Sequence, residues 1–262
     1  MGARRNYVGF EQGDLKVIEQ FSVQKRTYKQ VRCVCACKCG TVFEITANVL
    51  ISGKQESCWD CQWNKKRLAS KFYGVGTLGL GKYIAYDNMH MYKTWQSMLQ
   101  RCYDEKFHIR RPTYKECSVV QGWLNFQNFA EWYSKQTRQD GWELDKDLLV
   151  KGNKVYGPYT CCFIPADVNG LLSNNTVNRG DLPIGVVWHK SKRVYVAQCT
   201  YKGLDGKRKN KWLMQGSDPE ACFIAYKNFK ESLYKEVATR YQSVLPLHVY
   251  NALFNRVVDR DD

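Results

Sequence analysis

The chain has 262 residues, 44% of them apolar and 25% charged, and its 40 Lys and Arg against 25 Asp and Glu leave a formal charge of +15. That apolar content excludes a disordered chain, and no run reaches the roughly 18 apolar residues of a membrane-spanning helix. A positive surplus of this size repels itself in a compact fold, so it points to a polyanionic partner, nucleic acid before membrane. The start, Met1-Gly2-Ala3-Arg4-Arg5, lacks the apolar centre of a secretory signal. The expectation is a cytoplasmic protein, without disulfides despite its 12 cysteines.

The first segment, residues 1–70, is cysteine-rich. Leu15, Val17 and the run Val31–Val34 read as short strands. Six cysteines fall between Cys33 and Cys61, and a cluster in a reducing compartment reads first as a metal site. Cys37-Lys38-Cys39-Gly40 and Cys58-Trp59-Asp60-Cys61 offer two thiol pairs, enough for a structural Zn²⁺ with four ligands. Gly40 suits the positive φ of such a turn. Cys33 and Cys35 are spare thiols in the same run, so the first pair stays open at this stage. Alternation at 33, 35, 37 and 39 is also what buried cysteines on a one-faced strand would show.

Residues 71–82 form a linker, with Gly74, Gly76, Gly79 and Gly81 in the stretch Tyr73–Lys82. It lacks the Gly-Lys-Ser/Thr ending of a phosphate loop, so no nucleotide cofactor is expected.

The second segment, 83–178, opens on helices. Trp95, Met98, Leu99 and Cys102 share one helix face, and Phe126, Phe129, Ala130 and Tyr133 repeat that spacing. Arg101 stands near the first helix as a candidate phosphate contact. A strand is expected over Trp142–Val150, turns at Gly152-Asn153 and Tyr156-Gly157-Pro158, and a second strand over Tyr159–Ile164. A helix then starts at Pro165, carries Asn169 and ends near Asn174-Asn175. The order is a compact ββα unit, which brings the oxygens of Asp145 and Asn169 together.

The third segment, 179–262, reads as a three-stranded meander over Gly185–Trp188, Val194–Tyr201 and Lys211–Met214, with turns at Lys190–Arg193 and Gly203–Gly206. Pro219-Glu220 opens a long helix whose expected apolar face is Ala221, Ile224, Ala225, Phe229, Leu233 and Val237. Between 179 and 211 stand nine basic residues (Arg179, Lys190, Lys192, Arg193, Lys202, Lys207, Arg208, Lys209 and Lys211) against Asp181 and Asp205. A basic three-stranded sheet backed by a helix can lie in a DNA groove, so double-stranded DNA is the expected partner. Lys190, Lys192, Arg193, Lys207, Arg208, Lys209 and Lys211 are its candidate contacts. A solvated charged face is the plain alternative.

Together the segments resemble phage-encoded HNH-type homing endonucleases with a Cys-rich N-terminal module and a C-terminal AP2-like domain. The N-terminal and helical residues that carry the likeness are Gly13-Asp14-Leu15-Lys16-Val17-Ile18, Cys37-Lys38-Cys39-Gly40, Trp95-x-x-Met98 with Arg101-Cys102, and Trp123 with Phe126 and Phe129. Further on they are Asp145, Gly152-Asn153, Tyr156-x-Pro158, Asn169, Gly185-Val186, Tyr195-x-Ala197, Gly206-Lys207-Arg208 and Pro219-Glu220-Ala221.

The resemblance implies an α+β protein of several small domains: a zinc-binding β module, a ββα-metal unit with flanking helices, and a three-stranded sheet with a helix. It implies a catalytic centre in which Asp145 and Asn169 hold one divalent ion, Mg²⁺ or similar, for phosphodiester hydrolysis. Lys146 occupies the position where the family carries its histidine base. Asp147, His90 and His108 are weaker candidates for activating water. Two alternatives stay open: a DNA-binding protein with an inactive core, and a basic protein-interaction factor.

Overall fold

The computed structural model describes residues 5–69, 71–172, 180–203 and 206–262. It is an α+β structure whose described residues form eight α-helices and four small sheets. It divides into two compact units, one of the chain up to residue 85 with 125–127, the other of 86–124 with the rest. Arg179, Asp205 and the expected helix end at Asn174-Asn175 lie outside the described residues. Among the described residues, no helix is long and apolar enough to cross a membrane.

In the first unit, β1 (Glu11–Gln12), β2 (Leu15–Gln24), β3 (Lys29–Cys37) and β4 (Val42–Thr46) form an antiparallel sheet in chain order. Leu15 pairs with Cys37 and Val17 with Cys35, so strand alternation puts these four on one face. Leu15, Val17, Cys33, Cys35, Ile45, Ala47 and Leu50 make a small core under α1 (Ala47–Ile51). The helix α2 (Trp59–Ala69) buries none of its side chains. The glycine-rich stretch turns tightly: Phe72 bridges Gly76, and Thr77 pairs with Asn125.

The second unit begins with α3 (Met89–Tyr103), whose Trp95, Met98, Leu99 and Cys102 are buried at the spacing read from the sequence. Asp104 caps α4 (Glu105–Arg110) by accepting from the backbone N–H of Lys106 and Phe107. Next come β5 (Ser118–Val119) and α5 (Phe126–Ser134). Phe126, Phe129, Ala130 and Tyr133 of α5 are buried. Trp123 meets Trp132, which stacks on Phe163, with ring centroids 4.6 and 5.8 Å apart.

The chain then builds β6 (Trp142–Asp145), β7 (Val155–Tyr156), β8 (Cys162–Pro165) and α6 (Ala166–Leu172). β6 and β8 pair antiparallel, and α6 packs on both. The first strand is shorter than the expected Trp142–Val150, because Asp145 turns the chain. Its Oδ1 accepts from the N–H groups of Asp147 and Leu148 at 2.9 and 2.7 Å. The second strand is displaced from Tyr159–Ile164, since the Gly157 carbonyl accepts from Cys161 and holds 157–161 in a turn. Between them β7 leaves to pair in parallel with β5.

The C-terminal sheet has the order β11-β10-β9, from β9 (Val186–His189), β10 (Val194–Lys202) and β11 (Arg208–Gly216). Behind it lie α7 (Pro219–Arg240), capped by Asp218, and α8 (Leu247–Phe254). The buried face of α7 differs from the expected one. It comprises Cys222, Tyr226, Lys230, Leu233, Tyr234, Val237 and Ala238, while Ile224 is 56% exposed. The inward line contains a lysine and two tyrosines, so hydropathy found only part of it: Leu233 and Val237 are buried and Ala225 and Phe229 pack against the core, while Ile224 faces out. Lys230 is tolerated because its ammonium donates to the Leu171 carbonyl at 2.8 Å.

One core joins these elements: Ile164 and Val168 of the ββα unit pack in the same cluster as Val186, Ala197, Leu233 and Val237. Gly185 permits the approach of sheet to helix. Its φ is +76°, and a Cβ there would collide with the Tyr226 ring. Gly185→Ala should therefore cost roughly 2–4 kcal/mol in urea unfolding, from left-handed strain plus overpacking. Gly152→Ala is the control: φ is +74° but the space is open, so about 1 kcal/mol is expected.

Candidate functional site

The cysteine module is built from two loops. Cys37 ends β3, Cys39 follows in a turn where Gly40 has φ +93°, and Cys58 and Cys61 stand at the start of α2. Their four sulfurs lie within 4.8 Å of one another. Cys39 and Cys58 sulfurs are 3.5 Å apart, those of Cys37 and Cys61 4.0 Å. Zinc–sulfur bonds of about 2.3 Å at tetrahedral corners put sulfurs about 3.8 Å apart, so the cluster fits such an ion. Among the described residues it is the one group of three or more Cys, His, Asp or Glu gathered in this way. It can hold a metal ion such as zinc. The sulfur cluster takes Cys37 and Cys39 as its first pair, and Cys33 and Cys35 stay in the core without joining it.

Local groups prepare these thiols. The N–H groups of Cys58 and Cys61 point at the sulfurs of Cys37 and Cys58, both at 3.4 Å. The Thr41 hydroxyl and backbone, helped by Cys58 and Cys61, lower the Cys39 thiol to about 6. Its hydrogen bond to Cys39 pushes Cys61 up to about 12. Four crowded thiols cannot all ionise alone; a cation among them removes that conflict. Asp14 ties the two loops, with Lys65 of α2 at 2.9 Å and Lys38 of the Cys37–Cys39 turn at 3.3 Å.

In the ββα unit, Glu143 and Asp145 share one face of β6 by alternation. The side chain of Asn169 on α6 reaches that face and donates to Glu143 Oε2. The sequence order pairs Asn169 with Asp145, whereas the bond in the structure goes to Glu143, which alternation on β6 puts on the same face as Asp145. Asp145 has one oxygen on the turn backbone, and burial, then the charge of Asp147, holds its pKa above the usual carboxylate range.

Lys146 is buried. Its ammonium donates to Asp147 Oδ1 at 2.8 Å and to the Asn153 carbonyl at 3.0 Å. Burial pulls its pKa down, but the bond and charge of Asp147 outweigh that and raise it. A raised lysine is charged up to and beyond its ordinary range, so at neutral pH Lys146 cannot accept a proton. Asn153 braces the loop, donating to the carbonyls of Lys146 and Val155. Arg101, the candidate phosphate contact, is partly buried, bonds Tyr156 and feels the charge of Glu143. His108 Nε2 lies against the Arg101 carbonyl, and His90 is exposed on α3.

On the C-terminal sheet Lys190, Lys192, Arg193, Lys207, Arg208, Lys209 and Lys211 are all exposed, but they do not share a face. Lys190, Lys192 and Arg193 sit in the β9–β10 turn, with Arg193 at φ +54°. Arg208 and Trp212 alternate onto the open face, where Lys192 lies over the Trp212 ring at 4.9 Å and His189 packs at 5.4 Å. Lys209 and Lys211 fall on the α7 side; Lys211 pairs with the buried Cys199 and sits over Phe229. Trp212, 48% exposed on this face, had no role in the sequence reading.

Comparison of the chain with protein-family models, curated proteins and solved structures found no match.

Elemental analysis of protein purified without chelator should find about one zinc per chain. Cys37→Ala should abolish it and Cys35→Ala should leave it in place. Metal affinity should fall as pH is lowered, because protons compete for the sulfurs.

Proposed function

We propose that this protein is a DNA endonuclease of the HNH type, hydrolysing phosphodiester bonds of double-stranded DNA with one divalent ion. The observation that carries the proposal is the ββα unit itself: α6 sets Asn169 against the face of β6 that bears Glu143 and Asp145. These are hard oxygen donors of the kind Mg²⁺ takes. On this reading Asp145 and Asn169 hold the ion. Glu143 accepts a bond from the Asn169 amide nitrogen and so turns the amide oxygen the other way. The ion, when bound, neutralises charge on the phosphate and the leaving 3′ oxygen. Lys146, with its charge fixed by Asp147, adds positive potential beside the phosphate rather than acting as a base.

The β9–β10 turn and the open sheet face, with Lys190, Lys192, Arg193 and Arg208 around Trp212, supply the duplex contact. In this proposal the ββα unit and the AP2-like sheet act on the same DNA.

A second reading, a DNA-binding protein without cleavage, is favoured by one observation. The family's base position is filled by a charged lysine bonded within its own loop.

The two readings separate in one experiment. Linear duplex DNA with Mg²⁺ should be cut by the wild type, while Asp145→Asn and Asn169→Ala should slow cutting by orders of magnitude at unchanged DNA affinity. Retained binding with no cutting by the wild type would establish the second reading. Metal affinity should strengthen as pH rises through the lifted pKa of Asp145, because only its ionised form attracts the ion.

The DNA face has its own test. Reversing charge at Arg193 and Arg208 should weaken binding. Each lost phosphate contact should also reduce the slope of log K against log salt by roughly 0.9.

A further inference from the structure

We propose that α2 is a second nucleic-acid contact, which stacks the unpaired bases of a DNA strand on Trp59 and Trp63. Both side chains are open to solvent, 69% and 64% exposed. They stand four residues apart, so they share one face of the helix and are offset about 6 Å along its axis. Gln62 and Lys66 complete that face at helical spacing, with Arg67 at its edge. The opposite side of the helix is the one fastened down. Cys61 joins the sulfur cluster there, and Lys65 bonds Asp14 at 2.9 Å.

A helix anchored on its inner side, with two exposed indoles on its outer side, has no folding reason to carry tryptophan there. The surrounding charge identifies the occupant. Lys66 and Arg67 stand on this face and its edge, and the flanking sequence adds Lys54 and Lys71 against Glu56 and Asp60, with Lys65 held by Asp14 on the other side, so the face suits a polyanion with flat apolar groups. Single-stranded nucleic acid has that chemistry: bases stack on the indoles while phosphates meet lysine and arginine. The choice of DNA over RNA rests on the duplex-DNA reading above; a duplex opened during binding or cutting would present such a strand.

The test uses the full chain and fluorescence anisotropy with a labelled oligothymidylate and a labelled duplex of equal length. Trp59→Ala with Trp63→Ala should weaken single-strand binding at least 10-fold and leave duplex binding and zinc content unchanged. Trp59→Phe with Trp63→Phe should restore most of the loss, since a smaller ring still stacks. Unchanged single-strand affinity in the alanine variant would overturn the proposal. So would a variant whose only change is loss of self-association in sedimentation, which would make the face a contact between copies. Tighter binding of oligouridylate than oligothymidylate would overturn the assignment to DNA. Absence of duplex binding by the wild type would sink the endonuclease reading instead, whatever the single-strand arm returned.

Discussion

A single hydrophobic core carries both the ββα unit and the C-terminal sheet. Ile164 and Val168 from one, Val186 and Ala197 from the other, and Leu233 and Val237 from α7 bury against one another. Each such aliphatic side chain contributes roughly 1.5–3 kcal/mol on burial, and close-packed interiors do not deform smoothly. The Glu143–Asp145–Asn169 group and the open sheet face are therefore fixed to one rigid mass. On the proposed reading, that common core would hold the cutting centre at a set distance from the duplex contact. Lys230 sits inside the same core. It donates to Leu171 near the C-terminal end of α6, where helix carbonyls lack partners, and so ties α6 to α7. Burial lowers its pKa, as desolvation of a cation requires.

The loop after Asp145 shows how polar chemistry can be enclosed. Asp145 takes two backbone N–H groups, Lys146 takes Asp147 and a carbonyl, and Asn153 bridges Lys146 to Val155. Nearly every charge here has a partner supplied by its own loop. Such closed networks are stiff. Within this one, the bond and charge of Asp147 keep Lys146 a cation that serves the local structure.

The sequence made some of this plain and hid the rest for identifiable reasons. Helix spacing placed Trp95, Met98, Leu99 and Cys102 on the buried face because apolar residues alone occupy it. The same rule held only in part on α7: Leu233 and Val237 are buried as expected, but Lys230, Tyr226 and Tyr234 also stand inside and Ile224 stands outside. Paired Cys spacing located the cluster, but the choice between Cys35 and Cys37 needed the end of β3. That Asp145 lies on the first strand and Asn169 on the following helix was legible from their order; that Asn169 bonds Glu143 was not, because it depends on which strand face α6 covers. The split of the basic residues between two sheet faces was likewise invisible while the bounds of β11 were unknown.

The strand β3 carries Cys33, Cys35 and Cys37 two residues apart, all on one face. A slip of one residue would expose all three and is excluded by burial. A slip of two would keep every side chain on its proper face and merely hand the next thiol to the cluster. Hydropathy cannot distinguish these two ladders. The register is set by what lies beyond the strand: the Cys37 N–H bonded to Thr41, the Lys38 N–H bonded to Asp14, and the turn at Gly40. Correct assembly of this sheet is thus decided by a few bonds at its end, and a metal captured early by the wrong thiols would act as a kinetic trap.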